Sequence, residues 1–127
     1  MHPDAQVVMQ GFAAFAAGDM AAMKSLFADD ATWHSPGNNK FSGSYTGPDA
    51  IVRFMTDVQA DAEIDNQPHD ILASDDHVVV LTNATMTKGG DSLDVQNVFV
   101  FHVDGGKVQD AWLSSSNQAA VDALFGS

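Results

Sequence analysis

The chain has 127 residues, 45% of them hydrophobic, with no cysteine and 17 Asp+Glu against 5 Lys+Arg, a formal charge of −12. That length and composition fit one globular domain, residues 1–127, whose core needs no covalent staples, and the missing thiols exclude disulfides and cysteine-based zinc sites. The acid excess repels phosphate backbones and anionic lipid, which argues against nucleic-acid and membrane partners.

Met1-His2-Pro3-Asp4 carries no basic region followed by an apolar stretch, and no apolar run approaches the roughly 20 residues that cross a bilayer, so the expectation is a cytoplasmic protein. Pro3 and Asp4 open a helix whose apolar stripe is Val7, Val8, Gly11, Phe12 and Phe15. Gly18 ends it in a left-handed turn, and Asp19 caps a second helix carrying Met20, Met23, Leu26 and Phe27. Asp29-Asp30 breaks that helix, and a short strand from Ala31 to His34 stops before Pro36-Gly37. Residues 37–48, rich in Gly, Ser and Asn, read as a loop. Pro48 and Asp49 open a third helix with Ile51, Val52, Phe54, Met55 and Val58 on its apolar face. Asp61 to Pro68 is a polar connection.

From there the pattern alternates. Strands are predicted over His69–Ser74, His77–Thr87, Leu93–Val103 and Val108–Ser115, with turns at Asp75-Asp76, Lys88-Gly89-Gly90-Asp91 and Asp104-Gly105-Gly106-Lys107. A short helix, Gln118 to Phe125, closes the chain. Segregated helices and strands give an α+β domain: three N-terminal helices around one short strand, then a four-stranded antiparallel meander and a short helix, a mixed or antiparallel sheet with helices packed on it.

Strand 93–103 is apolar on both faces near its middle. Helices in so short a chain cover only one face, which predicts a homodimer through the outer sheet surface, unless the carboxy terminus folds back over it. Asn97 is the polar exception between Val95 and Phe99. It is either a bonded structural amide or a donor aimed into a pocket. Trp33 and Trp112 are either core or pocket walls, since indoles suit flat apolar ligands.

The runs Phe12 to Asp19 and Leu26 to Trp33, Gly43 to Met55, and Val98 to Phe101 with Gly106-Lys107-Val108 and Trp112 resemble SnoaL-like polyketide cyclases and ketosteroid isomerases of the nuclear-transport-factor-2-like superfamily. The resemblance implies a cone-shaped fold around a pocket for a small apolar or polycyclic ligand, with no cofactor. It places Ser35 where the isomerases carry their aspartate base, a residue near Gly11 where they carry a tyrosine, and Asn97 where a late strand carries a protonated aspartic acid. One of those three parts survives in altered form, because an amide still donates a hydrogen bond to an oxyanion. Ketosteroid isomerase activity as such is therefore not expected.

The remaining acid/base candidates are His34, imidazole being the side chain suited to proton transfer near neutral pH, and Asp110, if its strand face is the pocket face. Strict alternation puts Trp33 and Ser35 on one face and His34 on the other. Tyr45, in the long loop, is positioned to fold over the pocket mouth, and Phe54 and Phe99 to line it. No histidine has metal-ligand spacing with another ligand, and no metal is assigned. Two readings stay open: a cofactor-independent isomerase or cyclase acting on a carbonyl compound by proton transfer, and a non-catalytic ligand-binding or dimeric interaction domain.

Overall fold

Each helical stretch is bounded by residues that supply what the backbone lacks at its ends. In the computed structural model, which describes all residues from Met1 to Ser127, helix α1 (Pro3–Ala17) begins where the His2 ring accepts from the Asp4 amide at 3.1 Å. It ends at Gly18, whose φ of 69° suits glycine. Asp19 caps α2 (Met20–Ser25) by accepting from the Ala22 amide at 3.1 Å. Gly47, with φ of 91°, and Pro48 open α3 (Pro48–Asp61), and Asn117 caps α4 (Gln118–Phe125). None of these helices is long and apolar enough to cross a membrane.

The strands are β1 (Phe27–Ser35), β2 (Gly43–Thr46), β3 (Glu63–Ala73), β4 (His77–Lys88), β5 (Asp91–Asp104) and β6 (Lys107–Ser115). They form one sheet in the order β2-β1-β6-β5-β4-β3. Strands β3 to β6 are an antiparallel meander, whereas β1 runs parallel to β6, so the sheet is mixed. It does not close on itself, and the helices lie against one face, giving the α+β cone.

Three boundaries differ from the sequence reading. Helix α2 stops at Ser25, and Phe27 instead opens β1 as a buried residue. Asp29 and Asp30 lie within that strand, exposed, where the β1–β6 register shifts between Phe27 and Thr32. The bulge turns both acids to water, so they do not break the element. The 37–48 stretch contains β2, paired with β1 through Tyr45 opposite Trp33. The polar run 61–68 is mostly strand: β3 begins at Glu63 and pairs along most of β4, with one irregularity between Pro68 and Asp70. Pro68 lacks the amide that a continuous ladder would use there.

Alternation fixes what the sheet does. The inner face carries Val78, Val80, Thr82, Ala84 and Met86 on β4 and Val95, Asn97, Phe99, Phe101 and Val103 on β5, all buried. Ile51 and Met55 of α3 and Ala5 and Val8 of α1 close over one part of this face. Val121 and Phe125 of α4 close over another.

Candidate functional site

Packing between the helices and the inner face leaves a cavity of about 140 Å³. Its apolar wall is a set of rings around Trp33. The indole centroid lies 6.1 Å from Phe101 and 6.3 Å from each of Phe27, Phe54 and Phe99. Phe12 of α1 meets Phe99 edge-on at 5.1 Å. Edge-to-face contacts at these spacings are favourable, and they hold the rings in fixed orientations.

None of the 26 residues lining the cavity is an acid, a histidine, a lysine or an arginine. Its polarity comes from carboxamides and hydroxyls. Asn97 is 5% exposed, and its Oδ1 has no hydrogen-bond partner. Asn66 of β3 has a buried Oδ1 in the same condition. The Trp33 Nε1 is buried and unpartnered, as is the hydroxyl of Thr82, which stands directly across from Asn97 in the β4–β5 ladder. A buried polar atom without a partner costs about 1–3 kcal/mol, and three of these, on Trp33, Asn66 and Asn97, belong to residues that line one cavity, so they need an explanation.

At the end where the 36–42 loop meets α4, the polar groups are already bonded. Asp122 accepts from Asn39 Nδ2 at 2.8 Å, from Gln118 Nε2 at 2.8 Å and from the Asn38 amide at 3.1 Å. These donors, Gln118 foremost, hold the Asp122 carboxyl below its usual range. The Lys40 amide donates to the Gly126 carbonyl at 2.9 Å. Behind the loop, Asp61 pairs with both Lys40 and Lys88, and that pairing lowers its pKa too. Phe41 packs edge-on against Phe125 at 5.1 Å, so loop and helix form one lid.

Of the residues singled out in the sequence, Trp33, Ser35, Phe54, Asn97 and Phe99 line this cavity. Tyr45 does not. Its ring stacks on Phe54 at 4.3 Å, and its hydroxyl donates to the Phe41 carbonyl at 2.8 Å, which puts it behind the wall and not over a mouth. Burial and the nearby Asp57 charge raise its pKa. His34, Asp110 and Trp112 lie on the opposite face of the sheet, because each is one residue out of step with an inward neighbour. His34 stacks on Trp112 at 5.5 Å and bonds Ser44 Oγ at 2.9 Å. Asp110 faces His102, with 3.6 Å between Oδ2 and Nδ1. Trp112 is 39% exposed. The placement of His34 and Asp110 as groups in the pocket, and of Trp112 as a pocket wall, is therefore corrected.

Sequence reading missed Asn66, Thr82, Asn39 and Gln118. Thr82 carried a signal, since it interrupts the alternating apolar set Val78, Val80, Ala84, Met86. Asn66 was hidden by taking 61–68 as a connection. Once β3 starts at Glu63, Ile64 and Asn66 fall on the inner face.

A family model described as a SnoaL-like domain matches residues 8–111. An uncharacterized protein of Mycobacterium tuberculosis is 30% identical over 125 residues, which is 96% of this chain and 95% of that protein. The structure of Bal32a, from a soil-derived mobile gene cassette, superposes with a TM-score of 0.92 at 30% identity, covering 98% of this chain and 97% of that one. A nuclear-transport-factor-2-like protein of Burkholderia xenovorans superposes with a TM-score of 0.90 at 22% identity, covering 99% and 98%, a likeness of fold alone.

Proposed function

The chain belongs to the SnoaL-like family, and from that premise we propose that its cavity binds a neutral small molecule, held by apolar rings and by a hydrogen bond to the Asn97 carboxamide. One observation carries this reading: Asn97 is buried without a partner for its oxygen, in a cavity that has no ionisable side chain. A charged ligand would enter a low-dielectric space with no counter-charge, at a cost of many kcal/mol. A neutral ligand with a hydroxyl donates to the oxygen that Asn97 leaves unpaired, and one with a carbonyl accepts from its amide N–H.

The chemistry such a site offers is positioning and polarisation. The amide N–H of Asn97 polarises a bound carbonyl, as an oxyanion donor does. An isomerase or cyclase acting by side-chain proton transfer needs a titratable group within hydrogen-bond reach of the substrate. His34 and Asp110 are on the far side of the sheet. Binding is therefore the reading that the arrangement favours. Any turnover would draw its proton carrier from water or from the substrate.

The outer face supports a homodimer. Trp112, Val100, Val79 and Leu72 are successive cross-strand neighbours there, with Val98 and Leu81 alongside. Val98 and Trp112 are 37% and 39% exposed and Leu72 52%. This block contains no carboxylate, while Asp70, Asp94 and Asp110 stand at its margin. Two copies that each carry −12 meet most readily over an uncharged apolar patch.

Native mass spectrometry of freshly purified protein reads both claims, since it reports subunit number and any retained molecule. A dimer with added mass is the expected result. If Asn97→Leu leaves the affinity for that molecule unchanged, Asn97 is not its partner.

A further inference from the structure

The size of the cavity and the placement of its unsatisfied groups narrow the ligand further. An apolar cavity of about 150 Å³ accommodates a benzene-sized guest. At about 140 Å³ this one is of the size that takes a single ring.

The polar groups then set the substituents. Asn39 and Gln118 are spent on Asp122, and Asn39 Oδ1 also accepts from the Phe41 amide at 2.8 Å. The carboxamides left over are Asn97 on β5 and Asn66 on β3. Strand β4 lies between them, with Thr82 opposite Asn97 and Ala84 opposite Asn66. Two strand spacings across and two residues along divide the pair, roughly 12 Å of backbone separation. Both residues stand on the inner face and line the same cavity. A para-disubstituted ring with one hydrogen bond at each end covers that gap. A carboxamide both donates and accepts, so each matches a hydroxyl or a carbonyl oxygen.

We propose that the ligand is a neutral single-ring compound bearing an oxygen substituent at two opposite positions, one held by Asn97 and the other by Asn66. This rests on the reading of the cavity as a neutral binding site, and adds to it the ring count and the second polar contact.

The test uses p-xylene, p-cresol and hydroquinone, in which hydroxyls replace methyls one at a time on one ring. Each is titrated calorimetrically, in reducing buffer, into the full chain after unfolding and refolding to strip any retained molecule. Asn66→Leu and Asn97→Leu should each weaken hydroquinone about tenfold and leave p-xylene unchanged or tighter. Either single variant should leave p-cresol nearly unaffected, because it can turn to use the remaining amide. The double variant should weaken p-cresol about tenfold as well. If Asn66→Leu weakens hydroquinone no more than p-xylene, the second contact is wrong and the neutral cavity stands. The same holds if p-xylene binds the unaltered protein and hydroquinone does not. If none of the three binds it at roughly millimolar concentration, the single-ring inference falls, and the binding reading falls with it only if the freshly purified protein also retains no molecule in the native mass spectrum. Asn66→Ser, which shortens the side chain without adding bulk, gives the same comparison should the leucine variant fail to fold.

Discussion

If Asn97 is kept for a ligand, removing it should make the empty protein more stable. Asn97 is 5% exposed, and its oxygen has no partner within the protein. Leucine there removes an unpaired buried polar atom, which costs about 1–3 kcal/mol. It also puts two methyls in place of the amide oxygen and nitrogen beside Phe99 and Val95, and the 140 Å³ cavity leaves room for their somewhat larger volume. A net gain of about 2 kcal/mol follows. For a domain of this length that raises the melting temperature by roughly 8 °C. The assay is calorimetric or circular-dichroism melting of refolded, ligand-stripped protein, with urea titration as a second measure. Ligand affinity should fall in the same variant, so stability and binding move in opposite directions. Asn97→Leu melting lower, by 1 kcal/mol or more, would sink the reasoning: the amide would then be a structural hydrogen bonder. Its cross-strand neighbour Thr82, fully buried with an unpartnered hydroxyl, is the obvious alternative partner. A double-mutant cycle with Thr82→Val decides between them, since a coupling energy near zero is expected only if the two side chains do not bond.

Asp61 and Asp122 are both held below the usual carboxylate value of 3.8, by Lys40 foremost in one case and by Gln118 foremost in the other. A depressed carboxyl stabilises the fold above its unfolded pKa and loses that contribution as pH falls through the folded value. The melting temperature should therefore hold to about pH 5 and drop below about pH 4, with a shallower drop in Asp61→Asn and Asp122→Asn; identical acid slopes in all three proteins would contradict this. Gly37 has φ of 85°, and a Cβ there would lie 2.2 Å from Gln118 Nε2 and 2.3 Å from Asp122 Oδ1. Gly37→Ala should cost about 2 kcal/mol or more and speed hydrogen exchange in α4; unchanged protection there would show that the lid is not built on this close approach. Val98→Asp puts a charge on the apolar block of the outer face and should give a monomer by light scattering at concentrations where the unaltered chain is a dimer. A monomeric unaltered chain would refute the interface outright.

Most of the fold could be read from the sequence because its elements carry strong local signals. The Gly-rich turns at 89–90 and 105–106 delimit β4, β5 and β6, and the Pro3 and Pro48 starts with the Gly18 stop delimit α1 and α3. What escaped were segments whose structure depends on partners far away in the chain. β2 is four residues of Gly, Ser, Tyr and Thr that read as loop until β1 pairs with them. The first half of β3 is polar, exposed at alternate positions, and becomes a strand only by pairing with β4. The candidate site was legible where alternation was regular: Trp33, Ser35, Asn97 and Phe99 follow from it. The assignments of Asp110 and Trp112 to the pocket depended on the phase of β6, which the sequence leaves open. That phase is visible only once Val103 is known to pair with Val108 and Phe101 with Ala111. His34 was set against the pocket by alternation alone, and β1 keeps that alternation up to Pro36.

The same alternation separates two kinds of chemistry. The sheet has a period of two, so a residue's face is decided by parity. On β1, β5 and β6 the titratable groups His34, His102 and Asp110 share the outer parity, and Trp33, Asn97, Phe99 and Phe101 the inner one. The inner wall is thereby left without charge, and its polar atoms are neutral donors and acceptors. Three of them, on Trp33, Asn66 and Asn97, have no protein partner, which surrenders several kcal/mol from a total stability of order 5–15. An apolar residue at any of those positions would fold at least as well. Their presence is intelligible if a bound molecule satisfies them, because a ligand at a hundred times its Kd adds about 2.7 kcal/mol of stability. That gain is of the size that one or two of these unpaired atoms cost.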